Sequence, residues 1–451
     1  MEFILPYFLA LLLLISCSYV HSRKPADADS DWGYISVRPD TNTFWWLYNY
    51  QGENPNPPLV LWLQGGPGGS GAGFGNFAEI GPLDVNLQPR NTTWLKEASL
   101  LFIDNPVGTG FSYVTNDNAY AKSVDQIAED LVEFFRQFFK AKPELQSSPF
   151  YVFSESYGGK MTAAFGVHMW KAIQKGKIVC KFSGVAMGDS WVHPEIIVES
   201  WGRYLYSTSF VDSNGLDVVD ESAKAISNAI AAGNWTGATA LWDASEDIVA
   251  GVTGGVDWYN ILNPIATHGQ RLHASRRTAK LSRRIKNPVL KRLYQRHMAV
   301  HQNDALDVLM NGPIRKKLGI IPTNVTWGGQ SADVFTNQEE EFMKPVTDSV
   351  DYLLKKTTNL KVVVYNGQLD LICDTMGVEA WVQTLAWPGL PSFNSAKRSQ
   401  LALSDTGNLV GYKKTYKNFY FYWMLRGGHM LPADQGEASL LMLGDIINTS
   451  H

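Results

Sequence analysis

Short apolar runs alternate with amphipathic segments along most of the chain. Leu59–Leu63, Leu100–Asp104 and Phe150–Phe153 are early examples, and each run stops at small or polar residues. Short continuous apolar runs are typical of strands buried on both faces in a parallel sheet. The segment that begins at Ser123 instead keeps apolar residues at helical spacing, and Ser123 with Gln126 forms a capping box. We therefore predict an α/β fold, with a mostly parallel central sheet and helices on both faces.

The second half of the chain returns to this pattern after a different middle third. Further strands are predicted at Phe182–Gly188, Lys361–Gly367 and Phe419–Leu425, whereas residues 201–311 contain helix-like stretches and no clear strand. We interpret the middle third as a helical cap inserted into this α/β core. The expected organisation is a core in two parts, residues 23–200 and 312–451, around a cap at 201–311.

The overall charge excludes one broad class of function. The chain has 451 residues, 45% of them hydrophobic and 18% charged, and its net charge is −4. This composition is globular, and the absence of a basic excess argues against a dedicated nucleic-acid-binding protein. The one strongly basic segment is Ser275–Arg296. We predict that it is a solvated surface helix or loop open to proteases, in preference to a site for an anionic partner.

The first residues resemble a secretory signal peptide. An apolar stretch from Phe3 to Ile15 is followed by small polar residues, and it is too short to span a bilayer. We predict a signal peptide over residues 1–22, with cleavage between Ser16 and Ser22, and no membrane anchor. Entry into the secretory pathway agrees with four predicted N-glycosylation sequons. They begin at Asn91, Asn234, Asn324 and Asn448.

Cysteines are scarce. Cys17 would leave with the signal peptide, so only Cys180 and Cys373 remain. The sequence leaves open whether these two form one disulfide or stay as buried thiols. In either case we expect stability to come from a large core.

A candidate nucleophile follows the strand at Phe150–Phe153. Ser156 lies in YVFSESYGGK and resembles the Gly-x-Ser-x-Gly nucleophile elbow, which raises a serine hydroxyl above a sheet. Ser154 replaces the first glycine of that motif, but it adds only a hydroxymethyl group, and Gly158 leaves space on the helix side. A lone serine in a turn is more often structural, so the assignment needs a base and an acid as well.

The chain supplies both groups in the order typical of α/β-hydrolases. Asp370 follows one predicted strand and His429 follows another, after Ser156 in the chain. The ends of parallel strands meet at one edge of the sheet, so we expect a Ser156–His429–Asp370 triad. Asp374 is the rival acid, about one helical turn further on.

Acyl transfer also needs donors for the oxyanion. The glycine-rich loop Gln64–Gly71 follows a strand, and we expect the backbone N–H groups of Gly66 and Tyr157 to form the oxyanion hole. The alternatives are a phosphate-binding loop or a plain turn. The loop fits neither nucleotide-binding motif, since it lacks a Gly-Lys-Ser/Thr ending and Pro67 interrupts it. We expect no cofactor and no metal ion.

Taken together, the motifs resemble those of the serine carboxypeptidases, an α/β-hydrolase family, and most closely its retinoid-inducible branch. The matching segments are LVLWLQGGPGGSG, LLFIDNPVGTGFSYV, PFYVFSESYGGKM, MNGPIRKKL, VVVYNGQLDLICDTMG and RGGHMLPADQ. The resemblance implies that Ser156 is the nucleophile, His429 the base and Asp370 the orienting acid. It also implies peptide or protein substrates with a free C-terminus.

The resemblance further implies a site for the substrate's C-terminal carboxylate. The matching positions are Gln64, Glu155 and Ala78. Gln64 replaces the family's usual asparagine, and Ala78 stands where a carboxylate is expected, beside Glu79. We therefore expect an incomplete carboxyl pair. Gly69 occupies a position where relatives often have a cysteine, so a disulfide common in the family is expected to be absent.

Three functions remain open from the sequence. The first is a secreted or lysosomal serine carboxypeptidase that removes C-terminal residues through an acyl-enzyme. The second is an acyltransferase, in which an alcohol or amine captures the same intermediate. The third is a binding or protective protein on an inactive hydrolase scaffold. Oligomeric state is not predicted.

Overall fold

The computed structural model describes residues 21–23, 30–264, 285–301 and 304–448. Most of the predicted signal peptide lies outside the described residues. His21 and Ser22 are described and belong to the first strand. The part of the basic segment up to residue 284 also lies outside them.

Twelve strands form one sheet in the part of the chain that the structure describes. They are β1 (His21–Arg23), β2 (Ser30–Ile35), β3 (Thr41–Tyr48), β4 (Leu59–Leu63), β5 (Ser99–Ile103), β6 (Tyr113–Val114), β7 (Pro149–Ser156), β8 (Lys181–Ser190), β9 (Lys361–Gly367), β10 (Ser399–Ala402), β11 (Leu409–Tyr416) and β12 (Phe419–Met424). Their spatial order is β1-β2-β3-β5-β4-β7-β8-β9-β12-β11-β10, with β6 paired to β3. The six strands from β5 to β12 in this order are parallel, and the flanking strands are antiparallel.

The described α-helices fall on both sides of this sheet and in the region between β8 and β9. They are α1 (Val124–Ala141), α2 (Tyr157–Gln174), α3 (Pro194–Ser207), α4 (Ser213–Ala231), α5 (Trp235–Thr253), α6 (Pro288–His301), α7 (Asp304–Leu309), α8 (Arg315–Leu318), α9 (Ala332–Asn337), α10 (Thr347–Lys356), α11 (Thr375–Val382), α12 (Leu390–Ser395), α13 (Leu431–Asp434) and α14 (Gly436–Asn448). Two π-helical segments, Gly71–Ile80 and Met310–Ile314, add to them.

Two hydrophobic clusters cover the two faces of the sheet. Along β4, Leu61 and Leu63 belong to one cluster with α1 and α2, while Val60 and Trp62 belong to the other with α14. Every β4 side chain is therefore buried, as the continuous apolar run predicts. The prediction of a mostly parallel sheet with helices on both faces is confirmed.

Helix α1 begins as its sequence indicates, with one difference. Ser123 is the N-cap, and its hydroxyl accepts a hydrogen bond from the N–H of Gln126 at 3.1 Å. In a capping box the side chain of Gln126 would accept from the N–H of Ser123. Here its Oε1 accepts instead from the N–H of Lys122, one residue earlier, at 3.0 Å. Both bonds satisfy donors near the start of the helix.

The basic segment differs from its prediction where it is described. Residues 288–296 belong to α6, and Arg292 and Arg296 are bound to acidic side chains of α5. Arg292 donates two hydrogen bonds to the buried carboxylate of Asp243, at 2.6 and 2.9 Å. Arg296 donates to buried Glu246 at 2.7 Å. Arg292 is still exposed, as expected for a solvated helix, whereas Arg296 is partly buried and differs from the prediction. Both arginines compensate the buried charge of Asp243 and Glu246.

Two further features bear on the sequence predictions. Cys180 and Cys373 are free thiols, so they form no disulfide with each other. Among the described residues, no helix combines the length and the apolar character that crossing a bilayer requires.

Phe135 anchors α1 against the unit that carries Ser156, and its removal tests this packing. Its ring contacts Phe150 of β7 at 4.7 Å between centroids and Phe165 of α2 at 5.6 Å. We expect Phe135→Ala to lower the free energy of unfolding by about 3–5 kcal/mol, because it leaves a cavity in a fully buried cluster. Urea unfolding followed by circular dichroism measures the change. Val179→Ala, at a side chain that is 68% exposed, is the control, and an equal loss in both variants would contradict the assignment.

Candidate active site

Ser156 lies in a sharp turn between β7 and α2. It is the last residue of the strand, and Tyr157 is the first residue of the helix. Its backbone has φ +62° and ψ −127°, a conformation that costs a non-glycine residue on the order of 1–3 kcal/mol. A strained strand-to-helix turn of this kind is the nucleophile elbow, and it directs the serine side chain away from both elements.

The missing glycine of the elbow motif has a simple physical explanation. A Cβ on Gly158 would lie 2.4 Å from the carbonyl oxygen of Leu63 and 3.1 Å from the Cβ of Ser154. The close approach of helix and strand therefore depends on Gly158. The hydroxyl of Ser154 is accommodated because it donates to the carbonyl of Ala186 at 3.2 Å.

The structure brings His429 and Asp370 together. The Nδ1 of His429 lies 2.8 Å from Oδ2 of Asp370, and both side chains are almost fully buried. Asp370 Oδ1 accepts a further bond from the N–H of Cys373 at 3.1 Å. The rival acid, Asp374, is instead the N-cap of α11, where it accepts from the N–H of Gly377. Asp370 is thus the carboxylate that orients the imidazole.

Residues from the helical region between β8 and β9 hold His429 from the other side, and the sequence analysis missed them. The backbone N–H of His429 donates to the carbonyl of Tyr259 at 2.6 Å, and the two rings lie 5.1 Å apart. The Tyr259 hydroxyl lies 2.8 Å from Nδ1 of His297. Nε2 of His297 lies 2.8 Å from the buried carboxylate of Glu246. No spacing in the sequence indicates this network, because it joins three separate segments.

The glycine-rich loop after β4 lies against the serine. Gly66 has φ +114°, which an L side chain rarely adopts, and it lines the same pocket as Ser156 and Tyr157. Buried Asp104 fixes the far end of the loop, since its carboxyl accepts from Ser70 Oγ at 2.5 Å and from the N–H of Ala72 at 3.1 Å. Burial raises the pKa of Asp104 to about 6. Of the two predicted oxyanion donors, Gly66 is therefore on a fixed loop and Tyr157 is at the start of α2, and both line the pocket with Ser156.

Gln64 and Glu155 form a second buried polar group next to the triad. Gln64 Nε2 donates to Glu155 Oε1 at 2.9 Å, and Trp62 Nε1 donates to Gln64 Oε1 at 2.7 Å, which fixes the amide orientation. Glu79 lies beside Gln64 and Glu155, and none of the described groups donates a hydrogen bond to its two carboxyl oxygens. Two carboxyl groups therefore meet at this site.

The prediction that Ala78 leaves the carboxyl pair incomplete is wrong. The segment Gly71–Ile80 is a π-helix, in which the N–H of Gly81 donates to the carbonyl of Asn76, five residues earlier. A π-helical turn holds one residue more than an α-helical turn, so it rotates the residues that follow. As a result Glu79, and not Ala78, lies beside Glu155. Ala78 packs against the hydrophobic cluster.

The two carboxyl groups shift each other's protonation. Burial raises the pKa of Glu79 to about 7, although the neighbouring side chains of Glu155 and Gln64 limit the rise. Burial, together with the charge of Glu79, raises the pKa of Glu155 well above its ordinary range. Two carboxylates at this separation do not both ionise readily, so the pair retains a proton near neutral pH.

An aromatic pocket opens beside Ser156. It is lined by Gly66, Ser156, Tyr157, Trp191, Trp242, Tyr259, His297, Gln330, Phe335, Phe342, Ile372 and Cys373. Six of these residues are aromatic besides the histidine, so the pocket is suited to an apolar or aromatic side chain. Elsewhere on the molecule, all four sequon asparagines are exposed: Asn91, Asn234, Asn324 and Asn448.

Comparison with known sequences shows close relatives along the whole chain. The family model for serine carboxypeptidases matches residues 21–449. The chain is 50% identical to the retinoid-inducible serine carboxypeptidases of Rattus norvegicus and Homo sapiens, over 96% of this chain and 95% of each relative. It is 42% identical to serine carboxypeptidase-like 51 of Arabidopsis thaliana, over 98% of this chain and 97% of that protein.

Comparison with solved structures supports the same fold. The crystal structure of Kex1(Δ)p, a prohormone-processing carboxypeptidase from Saccharomyces cerevisiae, matches with a TM-score of 0.75 at 20% identity. The match covers 93% of this chain and 91% of that one. At this identity the likeness bears on the fold alone, whereas the family model and the relatives bear on the family. The chain therefore belongs to the serine carboxypeptidase family and has the α/β-hydrolase fold.

Proposed function

We propose that this chain removes C-terminal residues from peptides, with Ser156 as nucleophile, His429 as general base and Asp370 as the acid that orients the base. The observation that carries the proposal is the strained elbow at Ser156, which opens on the pocket that Gly66 and Tyr157 also line. His429, held by Asp370 at 2.8 Å, supplies the base that a serine needs to attack near neutral pH.

The reaction proceeds in two halves. His429 takes the proton of Ser156 as its oxygen attacks the scissile carbonyl, and the N–H groups of Gly66 and Tyr157 stabilise the oxyanion. The imidazolium then gives its proton to the leaving amino acid, which departs and leaves an acyl-enzyme. Water attacks the ester with the same base, and the shortened peptide is released.

The Glu79–Glu155 pair provides a reason for cleavage at the C-terminus. We propose that the proton retained by the pair is donated to the terminal carboxylate of the substrate, with Gln64 holding Glu155 in place. A charge-assisted hydrogen bond of this kind is stronger than a neutral one. The aromatic pocket would take the side chain on the other side of the scissile bond, so we propose a preference for an apolar or aromatic residue there.

The remaining features complete the proposal. We propose that residues 1–22 are a signal peptide and that the protein is secreted or lysosomal. The four exposed sequon asparagines are proposed to carry N-glycans. Helices α4 to α7 are proposed to form a cap over the site, at residues 201–311, because Tyr259 and His297 from this stretch line the pocket.

Replacement of the nucleophile tests the catalytic assignment. We expect Ser156→Ala to abolish covalent labelling by a fluorophosphonate, and His429→Ala to suppress it to a similar degree, because triad members act as a unit. Mass spectrometry of the intact protein measures the labelling. Ser154→Gly, which restores the glycine of the elbow motif, is the matched control and should still be labelled. Full labelling of Ser156→Ala would place the nucleophile elsewhere.

The pH dependence tests the carboxyl pair. Because an ionised Glu79 would repel the substrate carboxylate, we expect kcat/KM for free-acid peptides to fall as pH rises through about 7, the pKa of Glu79. Amidated peptides lack the carboxylate, so their kcat/KM should lack this alkaline limb. Suitable substrates are matched pairs with phenylalanine before the scissile bond.

Two variants test whether the alkaline limb of kcat/KM arises from the Glu79–Glu155 pair. Glu155→Gln keeps a donor that cannot ionise beside Glu79, and it should shift or flatten the alkaline limb of the free-acid peptides. Glu53→Gln is the control, since Glu53 is exposed in the loop that precedes β4, at the opposite end of that strand. Coincident profiles for free-acid and amidated peptides in the parent protein would rule out recognition of the carboxylate by this pair.

A further inference from the structure

A third buried acid lies behind the triad. Asp189 is at the end of β8 and is 1% exposed. In the pairing of β7 with β8, Glu155 is opposite Gly188 and Ser156 is opposite Ser190, so Asp189 is the extra residue of a bulge. Bulges next to active sites commonly redirect a side chain. Its φ of +44° is left-handed, a region that aspartate enters more readily than most residues.

The bulge directs the carboxyl of Asp189 toward β9 and the loop that follows it. Oδ1 accepts a hydrogen bond from the N–H of Gly367 at 2.6 Å, three residues before Asp370. None of the described N–H or O–H groups donates to Oδ2. The carboxyl group of Asp370 is a neighbour of the carboxyl group of Asp189.

The neighbours of Asp189 do not favour a negative charge. The titratable groups that face it are Asp370, Glu155, Asp434, Tyr365 and Cys373. None of these five side chains carries a positive charge that would stabilise an ionised Asp189. Burial, followed by the charge of Asp370, raises the pKa of Asp189 well above its ordinary range.

The hydrogen bonds decide which of the two aspartates is ionised and where the proton lies. Asp370 accepts from Nδ1 of His429 and from the N–H of Cys373, whereas Asp189 accepts from the N–H of Gly367 alone among the described groups. Asp189 is therefore the protonated partner. Since its Oδ1 already accepts from Gly367, the proton lies on Oδ2, where the neighbouring Asp370 is the acceptor.

We propose that Asp189 is a positioning acid, whose protonated Oδ2 donates a third hydrogen bond to Asp370 and so weakens the pull of that carboxylate on the proton of His429. This inference rests on the proposed triad. A carboxylate with three donors attracts an imidazolium less strongly than one with two. A weaker pull on that proton favours the neutral imidazole, which is the form of His429 that acts as a base.

Two replacements separate this role from a structural one. Asp189→Asn retains an oxygen for Gly367 and an N–H for Asp370, so it reproduces the protonated acid and cannot ionise. Asp189→Ala removes the donor. The measured quantity is the rate constant for fluorophosphonate labelling against pH, because it reports the base that activates the serine and involves no substrate carboxylate.

We expect the acid limb of Asp189→Asn to coincide with that of the parent protein. The acid limb of Asp189→Ala should move to higher pH by about 0.5–1 unit, which makes labelling about 3–10-fold slower on that limb. Ser190→Ala is the matched control, since it alters the same bulge without an ionisable group, and its limb should stay with the parent. Thermal melts of all variants exclude unfolding as the cause.

Three results would overturn or redirect the inference. A move of the Asp189→Asn limb to lower pH would show that Asp189 is ionised in the parent, and this test does not depend on the alanine variant folding. An unchanged limb in folded Asp189→Ala would leave only a structural role. Labelling of Ser156→Ala at the parent rate would instead contradict the proposed function, so the two failures are distinguishable.

Discussion

Several carboxyl groups are buried at one edge of the central sheet, and the free energy needed to bury the charge of the four discussed next governs the chemistry of the site. Glu79, Glu155, Asp189 and Asp370 are each 2% exposed or less. Burial raises the pKa of the first three. Asp370 differs because His429 and a backbone N–H both donate to it. The cluster thus contains one carboxyl group that accepts from a histidine and three whose neutral form is favoured by burial, as the proposed binding of a carboxylate and activation of a serine require.

Backbone strain and close packing hold these groups in place. Ser156 and Asp189 both have positive φ, at the ends of adjacent parallel strands. Conformations of this kind persist only where the surrounding structure over-determines them. Here Gly158 lets the helix approach within contact of β4, and the bonds of Asp104 fix the loop that carries Gly66. The site is therefore built from strand ends and short turns on a rigid sheet. The region between β8 and β9 contributes one wall of the pocket, through Tyr259 and His297.

The sequence predicted the sheet and the Asp370–His429 pairing because both depend on local pattern and chain order. Continuous apolar runs identified the parallel strands, and polar residues after those runs met at one edge as expected. Three features were beyond that reasoning. Counting from the glycine-rich loop selected Ala78, since a π-helix with its additional residue has no reliable sequence signal. Asp189 gained its orientation from a bulge in strand pairing. Tyr259 and His297 reach the site through tertiary packing of segments far apart in the chain.

Proton uptake on ligand binding tests the retained proton of the carboxyl pair most directly. Isothermal titration calorimetry of Ser156→Ala with a free-acid peptide, in buffers of different ionisation enthalpy, counts the protons taken up. The pH is set about one unit above the pKa of Glu79, which is about 7, so that Glu79 is largely ionised before the peptide binds. The account predicts an uptake approaching about one proton for the free acid and none for the matched amide, because the incoming carboxylate raises the pKa of the pair. Binding of the free acid without proton uptake would contradict it.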